Sequence, residues 1–193
     1  SSRIVLTMQY FAGKPIRKLV PHAPETKLAV EEIMHSCAKQ ALIDGFFHGD
    51  PHSGNILIND EGMLCMIDLG MVGRLSEEQR DDFVTLMLAT ITNDSTTIAR
   101  VLLKIGTPTQ RVNINELKAE IERIRSQYLV VGRLGDVDAQ GFVEEFAKAA
   151  QKFRIKLATE LTILIKAAAT IEGIVRALDP EVDLVGIFKP YLE

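Results

Sequence analysis

Apolar residues recur three and four positions apart along most of this chain, the period at which a helix carries one buried face. Val30, Ile33, Met34, Cys37, Ala38, Ala41 and Leu42 form one such face, which predicts a helix over residues 26–45 that stops at Gly45. Ser76 followed by Gln79 reads as a capping box, opening a helix with Phe83, Val84, Met87, Leu88 and Ile91 turned inward. Ile98, Val101, Leu102 and Ile105 predict a short helix stopped by Gly106 and Pro108, and Leu117, Ile121, Ile124 and Tyr128 mark another, opened by Asn115. Beyond a glycine-rich break at Gly132 to Gly135, Phe142, Phe146 and Ala149 line the next. The longest pattern runs from Ile155 to Leu178 and is apolar nearly all round between Leu161 and Ala169, which predicts a buried central helix. Lys166 within it either meets a carboxylate or a pocket, or carries its ammonium to the surface on its apolar stem.

The period changes in two places. Ile56-Leu57-Ile58 reads as a short strand, Asn59-Asp60-Glu61-Gly62 as a turn, and Met63-Leu64-Cys65-Met66-Ile67 as the partner strand. Residues 3–11 read as one strand running into a turn at Ala12-Gly13-Lys14-Pro15. The class these elements predict is α+β, predominantly helical, with one small hairpin.

Composition adds bounds. At 193 residues, 47% hydrophobic and 25% charged, the chain is long enough for one domain that buries about 70% of its unfolded surface. No repeat, low-complexity tract or long linker divides it. A net charge of −4 with both signs interspersed does not suggest a nucleic-acid partner. Two cysteines, Cys37 and Cys65, give no disulfide framework, so a reducing compartment is the default. Lys166, with Glu160 and Glu172 flanking it, keeps the longest apolar run below the roughly 18 to 20 residues of a membrane span. No signal peptide is visible either.

The candidate chemistry lies in His48-Gly49-Asp50-Pro51-His52-Ser53-Gly54-Asn55 and in Ile67-Asp68-Leu69-Gly70. Asp50 stands five residues before Asn55, and Asp68 thirteen beyond it, the spacing with which kinase-type phosphotransferases arrange a base and two Mg²⁺ ligands. Magnesium is a hard cation that takes oxygen donors, so the carboxamide of Asn55 and the carboxylate of Asp68 suit it, and Asp50 is left for an acceptor hydroxyl. The hairpin would carry Asn55 at its entrance and Asp68 at its exit. Turn chemistry alone is the bland reading of either block, and His48-x-Asp50-x-His52 also has the look of a zinc cluster, although His22 and His35 stand outside ligand spacing.

Together with Met71-Val72-Gly73-Arg74-Leu75 and the late segment Ile171-Glu172-Gly173 through Leu178-Asp179-Pro180, these blocks resemble the UbiB family of atypical kinases, in order and over most of the chain. Small-molecule kinases of the aminoglycoside and choline type share only the first block and stand as an alternative within the same chemistry. The resemblance implies the C-terminal lobe of a protein-kinase-like fold, binding of ATP and Mg²⁺, and a role in ubiquinone or other isoprenoid lipid metabolism at a membrane. It puts Asp50 at the catalytic acid and Asn55 and Asp68 at the metal ligands. His52 falls where protein kinases place a phosphate-contacting lysine; it either does that job weakly or hydrogen-bonds its own loop. Met8 would sit at the back of an adenine pocket, the backbones of Gln9 and Phe11 at the adenine edge, and Leu57 on its floor; a core strand with a polar exit is the plainer reading. Ser53 replaces the family's usual proline, and Gly49 stands where protein kinases keep an arginine, so control by a phosphorylated activation segment is not expected.

On this reading residues 1–15 are the last small-lobe strand and hinge, 26–45 a helix, 46–75 the catalytic loop, hairpin and metal loop, and 76–193 a helical subdomain, all of one domain. The chain reads as a lobe whose parent continues upstream, with the small lobe as its missing partner, and is expected to bind nucleotide weakly and to be inactive alone. The parent would be an ATP-dependent phosphotransferase or ATPase, with isoprenoid lipid or lipid-biosynthesis proteins as partners. It would lie on the cytoplasmic or organelle-matrix side, membrane-associated through other parts of the parent. The alternative from another class is a nucleotide-sensing scaffold that binds MgATP without phosphotransfer.

Overall fold

The computed structural model of the chain describes residues 5–128 and 139–192. Helix α1 (Pro24–Ala38) begins with proline in its first turn, where the missing N–H has no intrahelical partner to lose. It buries Ala29, Val30, Ile33, Met34 and Ala38, the predicted face, and runs on as a π-helical segment, Lys39–Asp44, that buries Ala41 and Leu42. Gly45 ends it at φ 62°, a left-handed conformation that glycine adopts without steric cost.

Short strands follow the helix: β2 (Phe46–His48), β3 (Ile56–Ile58), β4 (Leu64–Met66) and β5 (Val72–Arg74), with β1 (Lys14–Pro15) ahead of it. β3 and β4 form the expected antiparallel hairpin, Ile56 opposite Met66 and Ile58 opposite Leu64. The turn is made by Asn59, whose Oδ1 accepts from the N–H groups of Glu61 and Met63, and by Gly62 at φ 80°. β1 adds to the other edge of β3, and β2 pairs antiparallel with β5. Neither of these pairings was expected from stretches of two or three residues.

The rest is mostly helical: α2 (Glu77–Ile91), α3 (Ser95–Ile105), α4 (Ile114–Tyr128), α5 (Ala139–Lys152), α6 (Thr159–Leu178) and α7 (Leu184–Phe188). A small ladder joins β6 (Gly106–Pro108) to β7 (Ile155–Leu157). The α+β, predominantly helical class holds. The capping box of α2 is present with both its hydrogen bonds, Gln79 N–H to Ser76 Oγ and Ser76 N–H to Gln79 Oε1.

Several details depart from the sequence reading. Residues 5–13 form no strand, and among the described residues no strand pairs with them. The predicted turn at Lys14-Pro15 is instead β1. Leu88 and Ile91 of α2 are 40% and 38% exposed, so the inward face of that helix is narrower than its pattern suggests. α4 opens at Asn113 rather than Asn115: the Asn113 side chain accepts from the Asn115 N–H, and its carbonyl from Leu117. The longest pattern is split, because Arg154 takes φ 53° and Ile155 to Leu157 then pair with β6, leaving α6 to begin at Thr159. α6 is buried along one stripe, through Leu161, Leu164, Ala167, Ile171, Val175 and Leu178, and Lys166 is exposed. The predicted break at Gly132 to Gly135 and the side chains of Tyr128 and Phe142 lie outside the described residues.

That stripe makes α6 the spine. Its C-terminal half packs with Ile16, Val30, Ile33 and Ile56 around α1 and the hairpin. Its N-terminal half, through Leu161 and Leu164, packs with Leu42, Phe47 and Leu75 behind β2 and β5. A further core of Ile98, Leu102, Leu117, Ile121, Phe146 and Phe153 binds α3, α4 and α5 together. No helix among the described residues is long and apolar enough to cross a membrane.

Candidate active site

The loop from Gly49 to Asn55 is held between two strand ends. The β2–β5 ladder sets Phe47 against Gly73 and His48 against Val72, and the Gly49 N–H extends it by donating to Met71 carbonyl at 2.9 Å. Gly73 has to be glycine here: a Cβ at that position would lie 2.0 Å from the Phe47 ring. At Gly49 a Cβ would lie 2.8 Å from both Ile163 Cγ2 and Met71 Cγ, so an arginine of the protein-kinase kind would have to displace those side chains.

Within the loop, backbone turns fix the spacing. His52 N–H donates to Asp50 carbonyl at 2.9 Å and Asn55 N–H to His52 carbonyl at 2.8 Å. The Asn55 side chain, buried, turns its Nδ2 back to the same Asp50 carbonyl at 3.3 Å, which leaves Oδ1 as the donor atom that a hard cation would take. Across the hairpin mouth Ile67 N–H donates to Asn55 carbonyl at 2.9 Å. Asp68 is therefore the next residue beyond Asn55's partner, and the two fall on one edge of the hairpin as expected. Asp68 is exposed at φ 61°, a conformation uncommon outside glycine that aspartate and asparagine tolerate best. Its Oδ1 lies 3.1 Å from where a Cβ on Gly70 would stand.

His48 ties the two halves of the site together, and the sequence reading considered it only as a zinc ligand. Its Nδ1 accepts from the Asp50 N–H at 3.1 Å and its Nε2 lies 2.9 Å from the Ile67 carbonyl. A carbonyl only accepts, so Nε2 carries the hydrogen and the ring is in a single neutral tautomer. Both nitrogens being used internally, His48 has no lone pair to offer a metal. The residue is buried, and its own N–H goes to Gln40 Oε1 at 3.0 Å on the π-helical segment. A widened helical turn next to a functional loop is a recurrent placement. Nothing in the spacing of Gln40 and His48 announced this bond; only the structure brings them together.

The other predicted residues are placed as follows. His52 is exposed and its Nδ1 accepts from the Gly54 N–H at 3.1 Å, which fixes the ring on its own loop and leaves Nε2 for a partner. Arg17, which the sequence reading passed over, brings Nη1 to within 3.0 Å of where a Gly54 Cβ would be, beside His52 Cε1, and so sets a cation against the loop. Leu57 is half-buried on β3 opposite Pro15 of β1, so the predicted floor and hinge residues are direct neighbours. Phe11 lies over Gly13, whose own approach to the Ile58 carbonyl would be blocked by a Cβ at 2.9 Å. Met8 is 64% exposed and Gln9 is also exposed, in the segment ahead of β1.

The donor set of one carboxamide oxygen and one carboxylate, with a second carboxylate on the same loop, fits a hard divalent cation that also binds phosphate oxygens. Among the described residues no three His, Cys, Asp or Glu side chains gather as a metal cluster by themselves.

Residues 1–102 match the family model described as ABC1 atypical kinase-like domain, and residues 121–183 that of the UbiB helical domain. An uncharacterised protein from the hydrogenase 1 5′ region of Clostridium pasteurianum is 31% identical over 98% of this chain and 36% of its own length. Two uncharacterised proteins of Synechocystis are similar as well, one 26% identical over 100% of the chain and 34% of its own length. The other is 33% identical over 70% of the chain and 33% of its own. The chain thus spans about a third of the length of the curated relatives it matches. It belongs to the UbiB family of ABC1 atypical kinase-like proteins.

Proposed function

We propose that this chain supplies the catalytic lobe of an enzyme that binds ATP with Mg²⁺ and transfers or hydrolyses its terminal phosphoryl group. The observation that carries this reading is the hairpin mouth, where the Asn55–Ile67 backbone bond sets Asn55 beside Asp68 while Asn55 Nδ2 and His48 hold Asp50 in the same frame. Bound magnesium would neutralise charge on the phosphate oxygens, held by Asn55 Oδ1 and the Asp68 carboxylate. Asp50 accepts the proton of the attacking hydroxyl or water. His52 Nε2 and Arg17 face the phosphate from the loop side, and Leu57 with the segment through Met8, Gln9 and Phe11 forms the adenine side together with the small lobe of the parent. Following the family resemblance, we extend this to a parent that serves ubiquinone or other isoprenoid lipid metabolism at a membrane.

The test is a thermal melt of the natural full-length protein with and without Mg²⁺ and ATP, beside Asp68→Asn. Ligand at 100 times its dissociation constant adds about 2.7 kcal/mol. The expected result is a magnesium-dependent rise in Tm that Asp68→Asn loses, because asparagine keeps the left-handed backbone but not the charge. A folded protein whose Tm ignores MgATP overturns the reading. Asp50→Asn then separates the two remaining classes: loss of turnover with nucleotide binding intact identifies an enzyme, whereas binding with no turnover in the unaltered protein identifies a scaffold.

A further inference from the structure

A cavity of about 240 Å³ lies between α1, the π-helical segment, α2 and α6, with His48 and Pro51 of the catalytic loop in its wall. Met34, Cys37, Phe47, Met87, Leu164 and Ala167 are among the apolar residues of its wall. The polar residues that reach it are tied elsewhere. Gln40 accepts from the His48 N–H and donates Nε2 to Ser36 Oγ at 3.1 Å and to Met66 Sδ at 3.3 Å. His48 uses both ring nitrogens, and Glu172 receives Arg176 Nε on Oε1. A buried water needs two to four polar partners, and this wall turns its polar groups outward. Cys37, half-buried in this wall, has its thiol pushed up to about 12 by the burial around it.

We propose that this cavity is a binding site for an uncharged hydrocarbon group, one ring or a short branched chain. The size fits: a dry apolar cavity of about 150 Å³ accepts benzene, so this one holds a substituted ring. Its flexible, polarisable lining of two methionines and a cysteine adapts to shape rather than selecting one outline. The occupant would touch Phe47, Gln40, His48 and Pro51. Filling the cavity stiffens the loop that carries Asp50, directly at Pro51 and through the His48 imidazole, which holds the Asp50 N–H and the Ile67 carbonyl.

Ligand-observed ¹⁹F saturation-transfer NMR with trifluorotoluene on the natural full-length protein tests this. Binding is expected in the unaltered protein and in Leu28→Ala, an exposed control on α1. It is expected to fall at least tenfold in Ala167→Leu, which fills the space. In parallel, alkylation of Cys37, followed at its own peptide apart from Cys65, is expected to slow at least fivefold with the probe present. Absence of saturation transfer, or unchanged binding in a folded Ala167→Leu, overturns the proposal. Should that variant fail to fold, unchanged Cys37 alkylation in the unaltered protein overturns it. No readout involves nucleotide, so the result is independent of the phosphotransferase reading.

Discussion

Residues 46–75 and residues 95–157 are held by opposite means. The first region consists of three-residue strands whose geometry depends on a handful of bonds: Gly49 to Met71, Ile67 to Asn55, and the two from His48. The second spreads its stability over a wide apolar contact, Ile98, Leu102, Leu117, Ile121, Phe146 and Phe153, with an ion-pair network on top. Site geometry therefore rests on few residues and scaffold stability on many, so single substitutions should be felt unequally in the two regions.

The sharpest way to break that contrast is His48→Ala. It deletes a buried ring, leaves the Asp50 N–H and Ile67 carbonyl without it, and opens the Gln40 contact to the cavity. Two lost bonds and a new void cost about 3 kcal/mol. Urea unfolding checks the figure; a cost below 1 kcal/mol would mean that the loop is held by something other than this imidazole. Next comes Gly73→Ala. With a Cβ 2.0 Å from the Phe47 ring, the ring or the strand has to move, an overpacking cost of about 2 kcal/mol. Pairing it with Phe47→Leu should give a double variant less destabilised than the sum of the two single changes, since the collision is between those two residues alone. Ser76→Ala, which removes one half of the α2 capping box, should cost about 1 kcal/mol by the same unfolding measurement.

The two regions also differ in what the sequence disclosed. The faces of α1 and α3 and the turn at Asn59 to Gly62 follow from spacing, because burial and turn chemistry act locally. So does the adjacency of Asn55 and Asp68, once the hairpin is recognised. The pairings β1–β3, β2–β5 and β6–β7 were invisible, since strands of two or three residues have too few positions to show an alternation. For the same reason Ile155 to Leu157 passed for the first turn of α6. The segment before Lys14 carries β-type residues, but a strand is a property of two paired segments, and among the described residues none pairs with it. At the site, the side chains with chemistry were legible while those that hold them were not: His48 and Gln40 act by contacts between positions eight apart on different elements, and Arg17 reaches the loop from outside either motif.

The smallest effect tests the second region. Glu120 is held below the usual carboxylate range by hydrogen bonds from Lys152 and then Arg123, and Glu145 by Lys148 and then Arg123, so α4 and α5 are bridged by the Arg123 guanidinium and the Lys152 ammonium. A carboxylate lowered in the folded state contributes stability above its unfolded value, about 4.3 for glutamate, and loses it as pH falls through the lower folded value. Between pH 7 and 5 the Tm should therefore hold, with a decline beginning below about 4. Glu120→Gln with Glu145→Gln should remove part of that decline, lower the Tm slightly at pH 7, and make the remaining difference vanish in 1 M salt, because exposed pairs are screened there. An acid-induced drop of the same size in the double variant would show that these bridges sit on a region already secured by its apolar core, and the contrast with the His48 region would then be wider still.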